Sequence, residues 1–236
     1  MPTTAKQHFD NDITRAKALQ NYSEPNEPHN IMVIKDLYRA AVTFAVGALD
    51  AYLCDAYVDC LTAALRTCKE DKTRKLPPEY AKELLPAGPL IAHSYEIRIN
   101  WAFRMAARLR MEKYNLLQIS RIKDMVNPVL PPGQKLWVEI AEQYIALDVK
   151  RLTGITQREY SGKDTKNKQK AREKAAGAIL RRIGNIIQRR HDIVHNCDRP
   201  KVAVQQITRQ ETKAMITDVE TFVRILDRHL DNHRVF

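Results

Sequence analysis

The sequence predicts an all-α protein, and three observations carry that reading. Glycine is scarce, 7 in 236 residues with 11 prolines, whereas a turn-dense β architecture needs frequent glycine-centred corners. Long stretches are rich in Ala, Leu, Arg, Lys, Glu and Ile, most of them good helix formers. Apolar residues recur at three- and four-residue spacing in several segments, the period of an amphipathic helix.

Taken in order, residues 4 to 20 place Phe9, Ile13, Ala16 and Leu19 on one side of an opening helix, which the polar, proline-bearing NYSEPNEPHN then breaks. From Ile31 to about Arg66 runs the most hydrophobic segment, too long for a strand and too apolar to lie on a surface; it reads as the central core helix, with Gly47 the candidate for a kink. The charged linker KEDKTRKLPPEY, with two prolines, ends it. SYEIRINWAFRMAARLRMEKYN predicts another helix, with arginines at 98, 104, 108 and 110 around Trp101 and Phe103. NLLQISRIKDMV and LWVEIAEQYIAL, separated by NPVLPPG, predict two shorter ones. The middle of the chain, about 79–150, reads as a helical insertion or cap.

The basic tract SGKDTKNKQKAREK, 161–174, fits either a mobile loop or the solvated start of a long helix. AAGAILRRIGNIIQRRHDIVH follows, with Ile179, Ile183, Ile186, Ile187 and Val194 marking an apolar side. Beyond Pro200, Thr208 caps a last helix with Glu211 three residues on, and Met215, Val219, Phe222, Ile225 and Leu226 share a face. The whole is expected to be one domain, with core helices near 31–66 and 168–232.

Lysines and arginines outnumber acids 39 to 28, for a net charge of +11 and a pI near 9.5. Such a surface attracts polyanions by steering and counterion release, so RNA or DNA heads the expected partners. The start MPTTAKQHFDND has no apolar signal region, and no apolar run approaches the roughly 20 residues of a membrane span. A soluble, cytoplasmic protein is expected. Cys54, Cys60, Cys68 and Cys197 contain no CxxC pair, which favours reduced thiols.

The segment RRHDIVHNCD, 189–198, admits three readings. His191 and His195 stand at i and i+4, the separation that puts two imidazoles on one helix face for zinc. That chemistry needs a third ligand; His229 and His233 sit near the chain end without supporting pattern, and the adjacent arginines repel a cation. Alternatively the histidines lie on a helix flank while Ile193 and Val194 pack inward. The third reading is phosphate chemistry. An arginine is a permanent, bidentate clamp for phosphoryl oxygens, and a histidine moves protons near neutral pH. Those two functions suffice to cut RNA, whose 2′-hydroxyl can attack its own phosphorus without a metal or cofactor. On an ideal helix, however, Arg190 and His195 point about 140° apart and lie about 7.5 Å apart along the axis. Either the helix ends or distorts around Ile193 to Asn196, or a second copy of the chain completes the site.

Arg190-His191-Asp192-Ile193-Val194-His195 resembles the R-[N/D/H]-x-x-x-H form of the R-x4-6-H motif of HEPN domains, all-helical proteins whose active members are metal-independent endoribonucleases. The run RRHDIVHNCDRP is similar to the RiboL-PSP branch, which shows RR-x-x-I-V-H-x-x-D there; Asp50-Ala51-Tyr52 loosely matches that branch's E-a-[FY] element. The resemblance covers about 31–66 and 168–232. It implies a HEPN-like antiparallel bundle in which Arg190 contacts the scissile phosphate, His195 handles the proton and His191 is a polar auxiliary.

Asp50, with an aspartate where the family has glutamate, becomes a buttress, and Asp192, Asn196 and Asp198 become supporting residues. Arg181, Arg182 and Arg189 become candidate RNA-backbone contacts. The resemblance further implies a homodimer with a composite site, and a toxin or antiviral-defence effector restrained by an antitoxin or other partner protein. HEPN domains without activity serve as RNA-binding or protein-docking modules, and that reading stays open.

Overall fold

The computed structural model describes residues 4–22, 31–92, 99–111, 117–199 and 203–233, and statements of absence below refer to these. They form an all-α protein without strands. The helices are α1 (Ala5–Asn21), α2 (Ile31–Glu70), α3 (Pro78–Ala81), α4 (Ala87–Ala92), α5 (Ile99–Met111), α6 (Ile119–Val126), α7 (Leu136–Ala146), α8 (Lys150–Thr153), α9 (Gln157–Ser161), α10 (Thr165–Asn196) and α11 (Arg209–His233). Parts of the linker NYSEPNEPHN and of SYEIRINWAFRMAARLRMEKYN lie outside the described residues.

The helix starts follow from side chains that satisfy orphan backbone donors. Thr4 and Gln7 form a reciprocal capping box at the head of α1, with Thr4 N–H donating to Gln7 Oε1 at 2.8 Å. The expected Thr208–Glu211 box opens α11, with Glu211 N–H donating to Thr208 Oγ1 at 3.2 Å. The basic tract resolves as helix from Thr165, because Asp164 Oδ1 accepts from the Asn167 N–H at 2.8 Å.

The 40-residue α2 is the axle of the fold, running through Gly47 as one helix. Helices α1, α5, α10 and α11 pack around it. Its inward side is built from small and medium residues, among them Ala41, Ala45, Leu49, Leu53 and Ala64, which let neighbouring backbones approach closely. Phe9 meets Tyr52 edge-on at 6.0 Å, and Trp137 stacks on Phe222 at 5.7 Å; each such aromatic pair contributes about 0.5–1.5 kcal/mol beyond its buried area. In length and composition α2 would serve as a membrane span, which corrects the expectation that no apolar run comes near one. Yet 61% of its most apolar 18-residue window is buried inside the molecule, as befits a core helix.

Two carboxylates of α11, one buried and one half-buried, tie the outer helices down. Asp218 of α11, fully buried, accepts from Arg151 Nη1 at 2.9 Å and Arg182 Nε at 2.7 Å. Asp227, half-buried, accepts from the Tyr52 hydroxyl at 3.1 Å, and burial first, then the charge of Asp231, holds its carboxyl above the usual aspartate range.

A raised folded-state pKa means that ionisation opposes folding: the penalty is absent below the unfolded pKa and complete above the folded one. Asp227→Asn keeps an acceptor for Tyr52 and removes that penalty. The variant should melt above wild type at pH 7, and the advantage should shrink as pH falls towards 4. Melting curves across that range check this, and a constant deficit at every pH would rule it out.

Candidate active site

The last three turns of α10 carry Gln188 to Asn196, and the helix reaches Asn196 without interruption. It then stops abruptly. Cys197 (φ 47°) and Asp198 (φ 59°) both adopt left-handed backbone conformations, unusual for residues with a Cβ. Their N–H groups turn back to the Asp192 carbonyl, that of Asp198 at 2.9 Å, and the Asn196 carbonyl takes the Arg199 N–H at 2.8 Å.

What enforces this turn is Asp198, whose carboxylate is fully buried between two arginines. Arg39 of α2 donates from Nε at 2.6 Å, and Arg189 approaches through Nη1 at 2.5 Å and Nη2 at 3.0 Å. The same two guanidiniums hold the following strand of loop: Arg39 Nη2 donates to the Gln205 carbonyl at 2.8 Å, and Arg189 to the Gln205 side chain and the Gln206 carbonyl. Nothing local in the sequence marks Arg39 for this role, since Asp198 lies 159 residues away.

Adjacent in sequence, Arg189 and Arg190 have different surroundings. Arg189 is committed to Asp198 and the 205–206 loop. Arg190, half-buried, lies beside Asp50 of α2, where Nε of Arg190 and Oδ1 of Asp50 are both buried and without a hydrogen-bond partner among the described residues. Burial raises the Asp50 carboxyl above its ordinary range, and the Arg190 charge partly offsets this. The pair is electrostatically coupled and leaves hydrogen-bonding capacity unspent on both sides.

His191 and His195 are exposed, their rings 4.5 Å apart and tilted by 41°. His195 therefore faces solvent while Arg190 faces α2, as an unbroken helix demands of residues five apart. Asp192 accepts from Gln188 Nε2 at 2.9 Å, and Asn196 is exposed at the helix end. Of the other arginines, Arg182 is spent on Asp218, while Arg181 is exposed.

No group of three or more His, Cys, Asp or Glu that could hold a metal occurs among the described residues. His229 is buried against Gln143 Nε2, 3.2 Å from its Nδ1; the His233 side chain lies outside the described residues.

An apolar face borders the site. A groove of about 920 Å³ between the start of α2, the end of α10 and residues 204–206 includes Ile31, Met32, Phe44, Ile193 and Val204. Ile31 and Met32 are 69% and 67% exposed, and Val194 beside it is 45% exposed. Further along α2 this face continues as Gly47 and Ala51, both exposed, up to Asp50.

A family model described as RiboL-PSP-HEPN matches residues 10–232 of the chain, the middle helices included. No curated protein and no solved structure matches it.

Proposed function

The chain belongs to the RiboL-PSP-HEPN family, and on that premise, which carries an RNA-related nuclease function in general terms, we propose that it is a metal-independent endoribonuclease acting as a homodimer. The observation that carries this reading is the split between Arg190 and His195. One helix presents a guanidinium with open donors and an exposed imidazole in different directions, next to an apolar face of exposed Ile31, Met32, Phe44 and Val194. Two-fold pairing over that face would bury apolar surface and set Arg190 of one copy against His195 of the other.

The chemistry follows from those two groups. His195 takes the 2′-hydroxyl proton as the 2′-oxygen bonds to the adjacent phosphorus. The P–O5′ bond breaks, and the 5′-oxygen leaves with the proton that the same His195 imidazolium gives back. Arg190 binds the non-bridging oxygens, where the extra negative charge of the five-coordinate transition state develops. His191, in ring contact with His195, orients it. Asp50 holds Arg190 in place without closing an ion pair, so the guanidinium keeps donors for phosphate. DNA lacks the attacking hydroxyl and is inert by this route.

Incubation with bulk RNA in excess EDTA should yield fragments with 2′,3′-cyclic phosphate and 5′-hydroxyl ends, while DNA stays intact and His195→Ala does nothing. Loss of cleavage in EDTA, or 3′-hydroxyl products, would transfer the site to a metal-dependent hydrolase. Intact RNA with wild-type protein would make the chain a binding or docking module.

A further inference from the structure

Many arginines among the described residues are neutralised within the molecule. Arg104 pairs with Asp59, Arg108 with Asp55, Arg110 with Glu83, and Arg172 with Glu142, besides the two on Asp218 and the two on Asp198. The outer face of α10 is different. Lys166, Lys170, Lys174 and Arg181 are exposed there and make no ion pair among the described residues.

At about 100° per residue these four positions fall in one sector roughly 100° wide, and the same sector contains His191 and His195. Both histidines are exposed, as are Asn185 and Gln188 between them and Arg181. Two acids flank the row, and each takes a glutamine amide: Glu173 from Gln169 and Asp192 from Gln188. At the far end, Lys163, Lys170 and Lys174 line a groove of about 470 Å³ with Thr153, Asn167 and Glu159, whose carboxylate is held by the Thr156 N–H and Lys150.

We infer that this row is a backbone track for an RNA strand running along α10 from the histidine pair, so that the substrate is an RNA extending about 40 Å beyond the cleaved linkage. The histidine end of the track rests on the ribonuclease reading; the row of unpaired cations does not. A straight line of exposed cations on a rigid helix fits a regular polyanion. It carries no base-reading groups beyond Asn185 and Gln188, so it sets length and orientation more than sequence. Arg190 and the apolar face point to other sides of the helix, so pairing of two copies meets the track only at its histidine end and leaves Lys166 to Arg181 open.

The test uses the His195→Ala chain, so that bound RNA survives, with single-stranded RNAs of 4 and 24 nucleotides, titrated across a range of salt. The longer RNA should bind at least about tenfold more tightly, and Lys166→Glu, Lys170→Glu, Lys174→Glu and Arg181→Glu together should remove that advantage. The slope of log affinity against log salt should fall by about 3, from about 0.7 per phosphate contact on a single strand over four contacts. The control variant Lys69→Glu, Lys72→Glu, Lys75→Glu and Lys82→Glu reverses as many exposed cations elsewhere and should change affinity less than about threefold, since non-local charge is largely screened.

Equal losses in both variants, or none in the first, would overturn the track. The glutamine version of the first variant serves if the charge-reversed chain does not fold, and should still lose the length advantage. Length-dependent binding by a wild-type protein that never cuts RNA would leave the track standing and end the ribonuclease reading. Undiminished cleavage of long RNA by the charge-reversed track variant with His195 restored would do the opposite.

Discussion

Co-expressed Arg190→Ala and His195→Ala chains should cleave RNA at about one quarter of the wild-type rate, although each variant alone is inactive. Random pairing makes half of the dimers mixed. A mixed dimer keeps one intact arginine on one copy and one intact histidine on the other, which is one of two equivalent trans pairs. The expectation comes from α10: the helix reaches Asn196 unbroken, so the two side chains of one copy diverge, and the proposed working pair draws on two copies. A site built within one chain predicts no recovery, because every chain in the mixture lacks one of the two groups. Rates on a single labelled RNA, with heterodimer content verified by differently tagged chains, decide between them. Recovery below about one hundredth of wild type, well outside the statistical expectation, would place the site in cis.

Asp198→Ala should be the most destabilising single change near the site. Its carboxylate is fully buried and serves two guanidiniums. Removing it leaves Arg189 with no carboxylate partner and Arg39 with only the exposed Asp36, 3.0 Å from its Nη1, a loss on the order of 3–5 kcal/mol for a broken buried ion pair. For a chain of this size that is a fall in Tm of about 6–20 °C. Alanine also fits poorly at φ 59°. Asp198→Asn, which keeps an acceptor and tolerates the left-handed backbone, should lose less. Asp192→Ala, with only a Gln188 contact at its carboxylate, should fall within about 1 kcal/mol of wild type. A melting temperature for Asp198→Ala within two degrees of wild type would mean that the buried triad is not what holds the end of α10.

The local rules of the chain were readable and the long-range ones were not. Apolar spacing places Met215, Val219, Phe222 and Leu226 on the buried side of α11, and Thr208 with Glu211 marks its start; both signals are carried by residues a turn apart. For the tract 161–174, Asp164 is the deciding residue, because its side chain caps the helix that begins at Thr165. The four- to six-residue helices α3, α4, α8 and α9 complete at most two turns, too few for a periodic pattern.

At the site, spacing shows that Arg190 and His195 diverge, and the unbroken α10 bears that geometry out. What spacing cannot show is which of Arg189 and Arg190 is spent inside the fold. That choice depends on a left-handed turn at 197–198 and on Arg39, 159 positions from its partner Asp198. Asp218, with Arg151 and Arg182, has the same character: the sequence shows three ordinary charged residues, and only packing makes them one buried cluster.

The position of α2 has a kinetic corollary. Four helices clad its central turns, from Ala41 to Ala64, so water and hydroxide reach those amides only when the cladding comes off. Deuterium uptake there should report the whole-molecule opening, with its steep denaturant dependence, while amides in the exposed first turns at Ile31–Val33 should label within the fast, denaturant-insensitive phase.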